Sequence, residues 1–139
     1  MLVYRVAHPT IKERDYPLGP YRARSQPEVE AGLRVELNNM AWAHTNKEHP
    51  SPSEDGISIN TDNVCGFASL TTLRKWFRGN RDLLYRGQFR VFVYDVPKRC
   101  VRQGRIQLMF DPREAILRGS WGIWTKVPAM RAKWARCQA

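Results

Sequence analysis

Phe89-Arg90-Val91-Phe92-Val93-Tyr94-Asp95-Val96, residues 89–96, is the clearest strand in this chain. β-Branched and aromatic residues fill it, as they fill pleated, buried surfaces. Pro97 stops it, because proline has no N–H to give to a ladder. Working outward, Arg105 to Phe110 predicts another strand. Alternation turns Ile106, Leu108 and Phe110 inward and leaves Gln107 and Met109 on the opposite face. Ala115-Ile116-Leu117 adds a third late strand, and Trp121 and Trp124 follow in a Gly-rich turn.

Toward the N-terminus, a short helix is predicted from Ser69, with Leu70, Leu73, Trp76 and Phe77 as its apolar stripe and Gly79-Asn80 at its end. Residues 50–63 read as a loop, with Pro50, Pro52, Glu54-Asp55 and Gly56. A longer helix is predicted from Ser25, where Ser25-Gln26-Pro27-Glu28 reads as a capping box. Val29, Leu33, Leu37, Met40 and His44 follow at helical spacing, and the helix should close before His49-Pro50. Pro9, Pro17, Gly19 and Pro20 make residues 8–24 an extended loop. Leu2-Val3-Tyr4-Arg5-Val6 opens the chain as a strand, with Leu2, Tyr4 and Val6 on one face and Val3 and Arg5 on the other. An early strand, then helices, then a cluster of strands describe an α+β fold. The expected architecture is a single domain over residues 1–130, with a mixed or antiparallel sheet and two main helices. A basic C-terminal tail, residues 131–139, follows as a short helix or frayed end.

Charge is divided unevenly. Residues 1–69 carry 7 Lys/Arg and 9 Asp/Glu, a net of −2, whereas residues 70–139 carry 16 and 4, a net of +12. Such a field draws in polyanions, so nucleic acid, an acidic protein or a nucleoprotein is the expected partner. Arg74, Lys75, Arg78 and Arg81 interleave with Trp76 and Phe77, and Lys98, Arg99, Arg102 and Arg105 form a second basic group. Lys/Arg for phosphates and aromatic faces for bases are what nucleic-acid binding needs.

No apolar run approaches the ~20 residues that span a bilayer, and charge at Arg5 breaks the N-terminus too early for a signal peptide. Cys65, Cys100 and Cys137 are an odd number without a CxxC. That suits a reducing, cytoplasmic setting. No G-x-S-x-G elbow accompanies His8, His44 and His49, and there is no P-loop or G-x-G-x-x-G. His44, His49 and Cys65 match no standard zinc spacing, so no metal is expected.

The order of these features resembles a small ADP-ribosyltransferase-like domain. The likeness lies in Tyr4-Arg5 on the first strand, Gly66-Phe67-Ala68-Ser69-Leu70-Thr71-Thr72 running into a helix, and the pair Phe89–Pro97 and Gly104–Phe110. It implies NAD as cofactor, with Arg5, Ser69 and Gln107 as the catalytic set. Tyr4, His44, Gly66 and Phe67 would join Arg5 and Ser69 in holding the dinucleotide. Gln107 stands where that family usually carries Glu, and it brings a hydrogen bond but no charge to an oxocarbenium-like transition state. The implied protein is therefore a transferase or a pseudo-enzyme. The chain also resembles small proteins of phages and actinobacteria in its Tyr-Arg opening, Gly19-Pro20-Tyr21, Cys65-Gly66-Phe67 and Trp76-Phe77. The function these readings predict is a phage-type accessory protein that binds or modifies an anionic partner. The alternative is a non-enzymatic basic protein that binds nucleic acid or a nucleoprotein, for example to inhibit a host defence. The two differ on whether Arg5, Ser69 and Gln107 converge on one cleft.

Overall fold

The computed structural model describes residues 1–58 and 62–133. Residues 134–139, with Trp134, Arg136 and Cys137 of the expected basic tail, lie outside the described residues. In chain order the elements are β1 (Leu2–Ala7), β2 (Lys12–Glu13), β3 (Tyr16–Pro17), α1 (Pro20–Ala23), α2 (Ala31–Ala43), β4 (Val64–Gly66), α3 (Leu70–Trp76), α4 (Arg81–Arg86), β5 (Arg90–Asp95), β6 (Val101–Gln103), β7 (Leu108–Phe110) and β8 (Ile116–Trp121). The class is α+β and every described strand pair is antiparallel.

β5 is the axis of the molecule. It pairs with β1 on one edge, Leu2 opposite Asp95 and Ala7 opposite Arg90, and with β8 on the other. Both faces of β5 are buried, and strand alternation divides the core between them. Val91 joins Val6, Leu37, Leu73, Trp76 and Leu84 in an apolar cluster under the helices. Phe92, Tyr94 and Val96 join Val3, Leu108 and Phe110 in a second cluster, against the second sheet. That second sheet has the order β4-β7-β6. The two sheets are tied where Tyr4 N–H donates to Phe67 O at 2.9 Å and Phe67 N–H donates to Tyr4 O at 2.8 Å.

One bulge shapes the first sheet. Val93 faces Gly119, but Tyr94 faces Leu117, so Arg118 is the extra residue. Gly119 has φ +151°, and a Cβ there would lie 2.6 Å from the Trp121 ring, so only glycine fits. The bulge aims Arg118 at Asp95, whose carboxylate lies 3.3 Å away at the fully buried end of β5. The Lys133 N–H also donates to Asp95.

The predicted elements need correction at several points, one being that the last strand, β8, runs on to Trp121, which was expected in a turn. The long helix starts at Ala31, not Ser25. Residues 25–29 instead form successive turns, in which Ser25 N–H donates to Arg22 O and Val29 N–H to Gln26 O. Glu30 is the cap, its carboxylate accepting from Gly32 N at 2.8 Å and Leu33 N at 3.0 Å. The same helix stops at Ala43, because Thr45 Oγ1 donates to Trp42 O and Asn46 Nδ2 to Ala43 O, closing the last turn from outside. Glu30→Ala is therefore expected to lower the urea midpoint, while Ser25→Ala leaves it unchanged; equal effects would contradict this start.

Residues 8–24 are not a plain loop, since they hold the β2–β3 hairpin and α1. Arg14 and Asp15 turn the hairpin at positive φ. Arg105–Gln107 is not strand. The Asp55 carboxylate accepts from the N–H groups of Ile106 and Gln107, which takes those donors out of any ladder, so β7 begins at Leu108. Ile106 accordingly packs against the helix-side cluster rather than with Leu108 and Phe110. Where the sequence stripe ended at Gly79-Asn80, the chain re-enters a helix, α4, which buries Leu83 and Leu84.

Candidate functional site

A cleft of about 760 Å³ opens where the hairpin, the end of α2 and the second sheet face one another. Arg5 forms its inner wall. It shares a face of β1 with Val3 and Ala7, both fully buried, so that face is core and not a polar face opposite the apolar one. The guanidinium is half-buried, and Nη1 donates to Cys65 O at 2.8 Å. Among the described residues no carboxylate lies within 4.0 Å of it. Burial holds its pKa below the ordinary arginine value. Gly19 makes room for it, since a Cβ there would come within 2.9 Å of Arg5 Nη2.

Tyr21, Trp42, Phe67, Trp76 and Phe77 also line the cleft; Phe67, Trp76 and Phe77 are buried, so Trp42 and the half-buried Tyr21 are the rings open to it. Trp42 is 70% exposed, unusual for so large an apolar ring. Tyr21 is fixed by a chain of hydrogen bonds. Trp76 Nε1 donates to Tyr21 Oη at 2.6 Å, so the tyrosine hydroxyl donates onward to His44 Nδ1 at 2.5 Å. His44 stacks on His49 with ring centroids 4.0 Å apart and planes 3° from parallel. His49 Nε2 in turn donates to Trp76 O at 2.7 Å. Burial pushes the Tyr21 hydroxyl pKa up. Burial, with the neighbouring His49 second, lowers the His44 pKa to about 4.

That depression sets a pH dependence. Between the folded value of about 4 and the ordinary 6.5, the unfolded chain binds the proton that folded His44 refuses. The stabilisation is therefore complete above pH 6.5 and is lost as pH falls toward 4. A falling denaturant midpoint between pH 6.5 and 4 is expected, with a shallower fall for His44→Gln; identical slopes would contradict the assignment.

The sequence-predicted residues divide on this geometry. Arg5, His44, Phe67 and Gln107 line the cleft; Tyr4, Gly66 and Ser69 do not. Tyr4 packs against the helix-side cluster. Gly66 lets β4 approach β1, since a Cβ there would meet Val3 Cγ1 at 2.8 Å. Ser69 caps α3, its Oγ accepting from Thr72 N at 3.1 Å and donating to Thr72 Oγ1 at 2.9 Å. Gln107 is buried, and its Nε2 donates to Pro50 O at 2.7 Å. A glutamate has no N–H for that carbonyl, which accounts for the amide at this position. Cys65 also lines the cleft, but burial pushes its thiol pKa up, away from nucleophilic character. His8 lies elsewhere and serves a turn, its Nδ1 accepting from Thr10 N and Ile11 N. Among the described residues no group of three or more His, Cys, Asp and Glu could hold a metal ion.

The two basic groups flank β5 in chain order. Arg74, Lys75, Arg78 and Arg81 sit on α3, α4 and their junction, ahead of Arg90; Lys98 and Arg99 follow the other end. Arg102 donates to Ser58 O, and Arg105 lies 3.8 Å from Asp55.

Sequence reasoning missed the hairpin, Trp42 and the Trp76–Tyr21–His44 chain. Gly19-Pro20-Tyr21 was the visible signal, because a Gly-Pro start sets Tyr21 on the first turn of α1. A model of the family described as Bacteriophage T4 Y00F protein matches residues 1–124, which span every element above. No curated protein and no solved structure matches the chain. No described helix is long and apolar enough to cross a membrane.

Proposed function

We propose that this chain, which belongs to the bacteriophage T4 Y00F protein family, is a nucleotide-binding protein whose cleft takes an anionic, aromatic-headed ligand of the NAD class. The observation that carries this reading is Arg5. A half-buried cation without a carboxylate is costly to keep, and a phosphate entering the cleft would supply the missing charge through bidentate bonds. The aromatic wall supports the same ligand class, because a base or nicotinamide ring gains by stacking on tyrosine and tryptophan.

Binding is favoured over transfer. The resemblance to ADP-ribosyltransferases supports a dinucleotide as the ligand. Gln107 spends its amide on the Pro50 carbonyl, and the Ser69 hydroxyl is taken by the α3 cap. Of the three residues expected to do chemistry, only Arg5 keeps donors toward a ligand. A role in the cytoplasm as a phage-type accessory protein follows from this reading, with the anionic ligand as its signal or its target.

Calorimetry with NAD, AMP and inorganic pyrophosphate tests the proposal. NAD and AMP are expected to bind, and pyrophosphate to bind more weakly, since it leaves the aromatic wall unused. No heat with either nucleotide would sink it and return the weight to the basic second half of the chain as a binder of nucleic acid or nucleoprotein.

A further inference from the structure

We propose a second binding site, for single-stranded nucleic acid, in the groove between α4 and the turn that follows β8. The groove is about 1200 Å³, and it shares no lining residue with the cleft. Arg81, Tyr85, Arg90, Trp121 and Trp124 give it its chemistry.

The fold spends specific contacts on presenting these side chains. α4 turns Leu83 and Leu84 into the core and leaves Tyr85 82% exposed. Arg74 reaches across from α3, Nε donating to Ile123 O at 2.8 Å and Nη2 to Thr125 O at 2.6 Å. Thr125 closes the turn, its N–H and its hydroxyl both donating to Gly122 O. Buried Ile123 anchors the turn from below, so Trp124 is held in place beside the helix. The Arg81 guanidinium carbon lies 5.8 Å from the Trp124 ring centroid, setting a cation against an aromatic face.

Charge is left over in this groove. Arg86 is committed to Glu36 at 2.7 Å and to Asp82 at 2.8 Å. Arg81 has no carboxylate within 4.0 Å among the described residues, and Arg90 donates only to Ser120, at 3.3 and 3.4 Å. The groove therefore offers two arginines to a backbone and three rings to bases. Every base has a π-face, so stacking tolerates any sequence. A duplex hides those faces, which selects the single strand. An acidic peptide would answer the arginines but leave the rings unused. The net +12 of residues 70–139 would steer a polyanion to this half of the chain.

Fluorescence anisotropy on the whole chain tests the site with a labelled short oligothymidylate, its duplex with oligoadenylate, and an oligoglutamate competitor. The single strand is expected to bind more tightly than the duplex, to weaken with salt and to quench tryptophan emission. Tyr85→Ala should weaken it about 10-fold, within the range for loss of one stacked base. It should leave AMP binding in the cleft unchanged, because Tyr85 touches none of that wall. Trp124→Leu should weaken the strand similarly and remove most of the quench. Absence of single-strand binding at low salt overturns the proposal, as does full affinity in both variants. Equal affinity for strand and duplex with displacement by oligoglutamate overturns it in favour of an acidic protein partner.

Discussion

Arg5→Met is expected to weaken AMP and NAD binding at least about 100-fold while leaving the fold intact or more stable. The loss follows from two charge-assisted hydrogen bonds at roughly 1.5–3 kcal/mol each, which together span about 10²–10⁴ in affinity. The stability side follows from what Arg5 costs the unliganded protein. Its guanidinium is desolvated against β4 and the Gly19 turn, and burial disfavours its charge. The return is one bond to the Cys65 carbonyl. Methionine fills a similar volume with apolar atoms and removes that penalty, so the thermal midpoint should hold or rise. A residue kept for packing would behave the opposite way, with a lower midpoint and unchanged binding. Calorimetry and thermal unfolding on the same variant separate the two; a destabilised variant with wild-type affinity would refute the role given to Arg5.

The legible parts of this fold are those in which local pattern and tertiary role agree. Residues 89–96 read as a strand because both faces of β5 are core, so almost every position is apolar or aromatic. Ser69 was legible as a helix start because the Ser hydroxyl caps locally. The failures have two causes, one local and one long-range. Ser25-Gln26-Pro27-Glu28 has the composition of a capping box, but α1 immediately before it already fixes Ser25 in a turn, and Glu30 supplies the cap instead. Arg105–Gln107 alternates like a strand, yet a carboxylate from about fifty residues away claims its N–H groups. That long-range partner leaves no trace in a window of ten residues. The same limit applies to the site. Arg5 and Gln107 were visible as polar residues on strands, and they do line one cleft. Ser69 shared their motif, but its hydroxyl was already claimed by the helix it begins. Tyr21, the His44–His49 stretch and Trp76 come from three separate segments, and only the fold joins them.

Asp55→Ala is expected to cost about 4 kcal/mol of stability, from two stranded donors and the void left behind. The carboxylate is 2% exposed and accepts from Ile106 N at 3.0 Å and Gln107 N at 2.9 Å. Truncation strands both donors away from water, at about 1–3 kcal/mol each. It also opens a void under Gly104, where a Cβ would sit 2.3 Å from Asp55 Oδ2 and 2.7 Å from Asp55 O. The loss should reach the cleft, because Gln107 carries both the N–H held by Asp55 and the amide held by Pro50. Once the first is released, β7 can slide and the second is strained. Asp55→Asn keeps one acceptor oxygen and the shape, so it should cost roughly half as much. Urea unfolding of the three proteins at one pH measures this order. An Asp55→Ala midpoint near wild type would mean that the start of β7 is held by β4 and β6 alone, with the carboxylate a bystander.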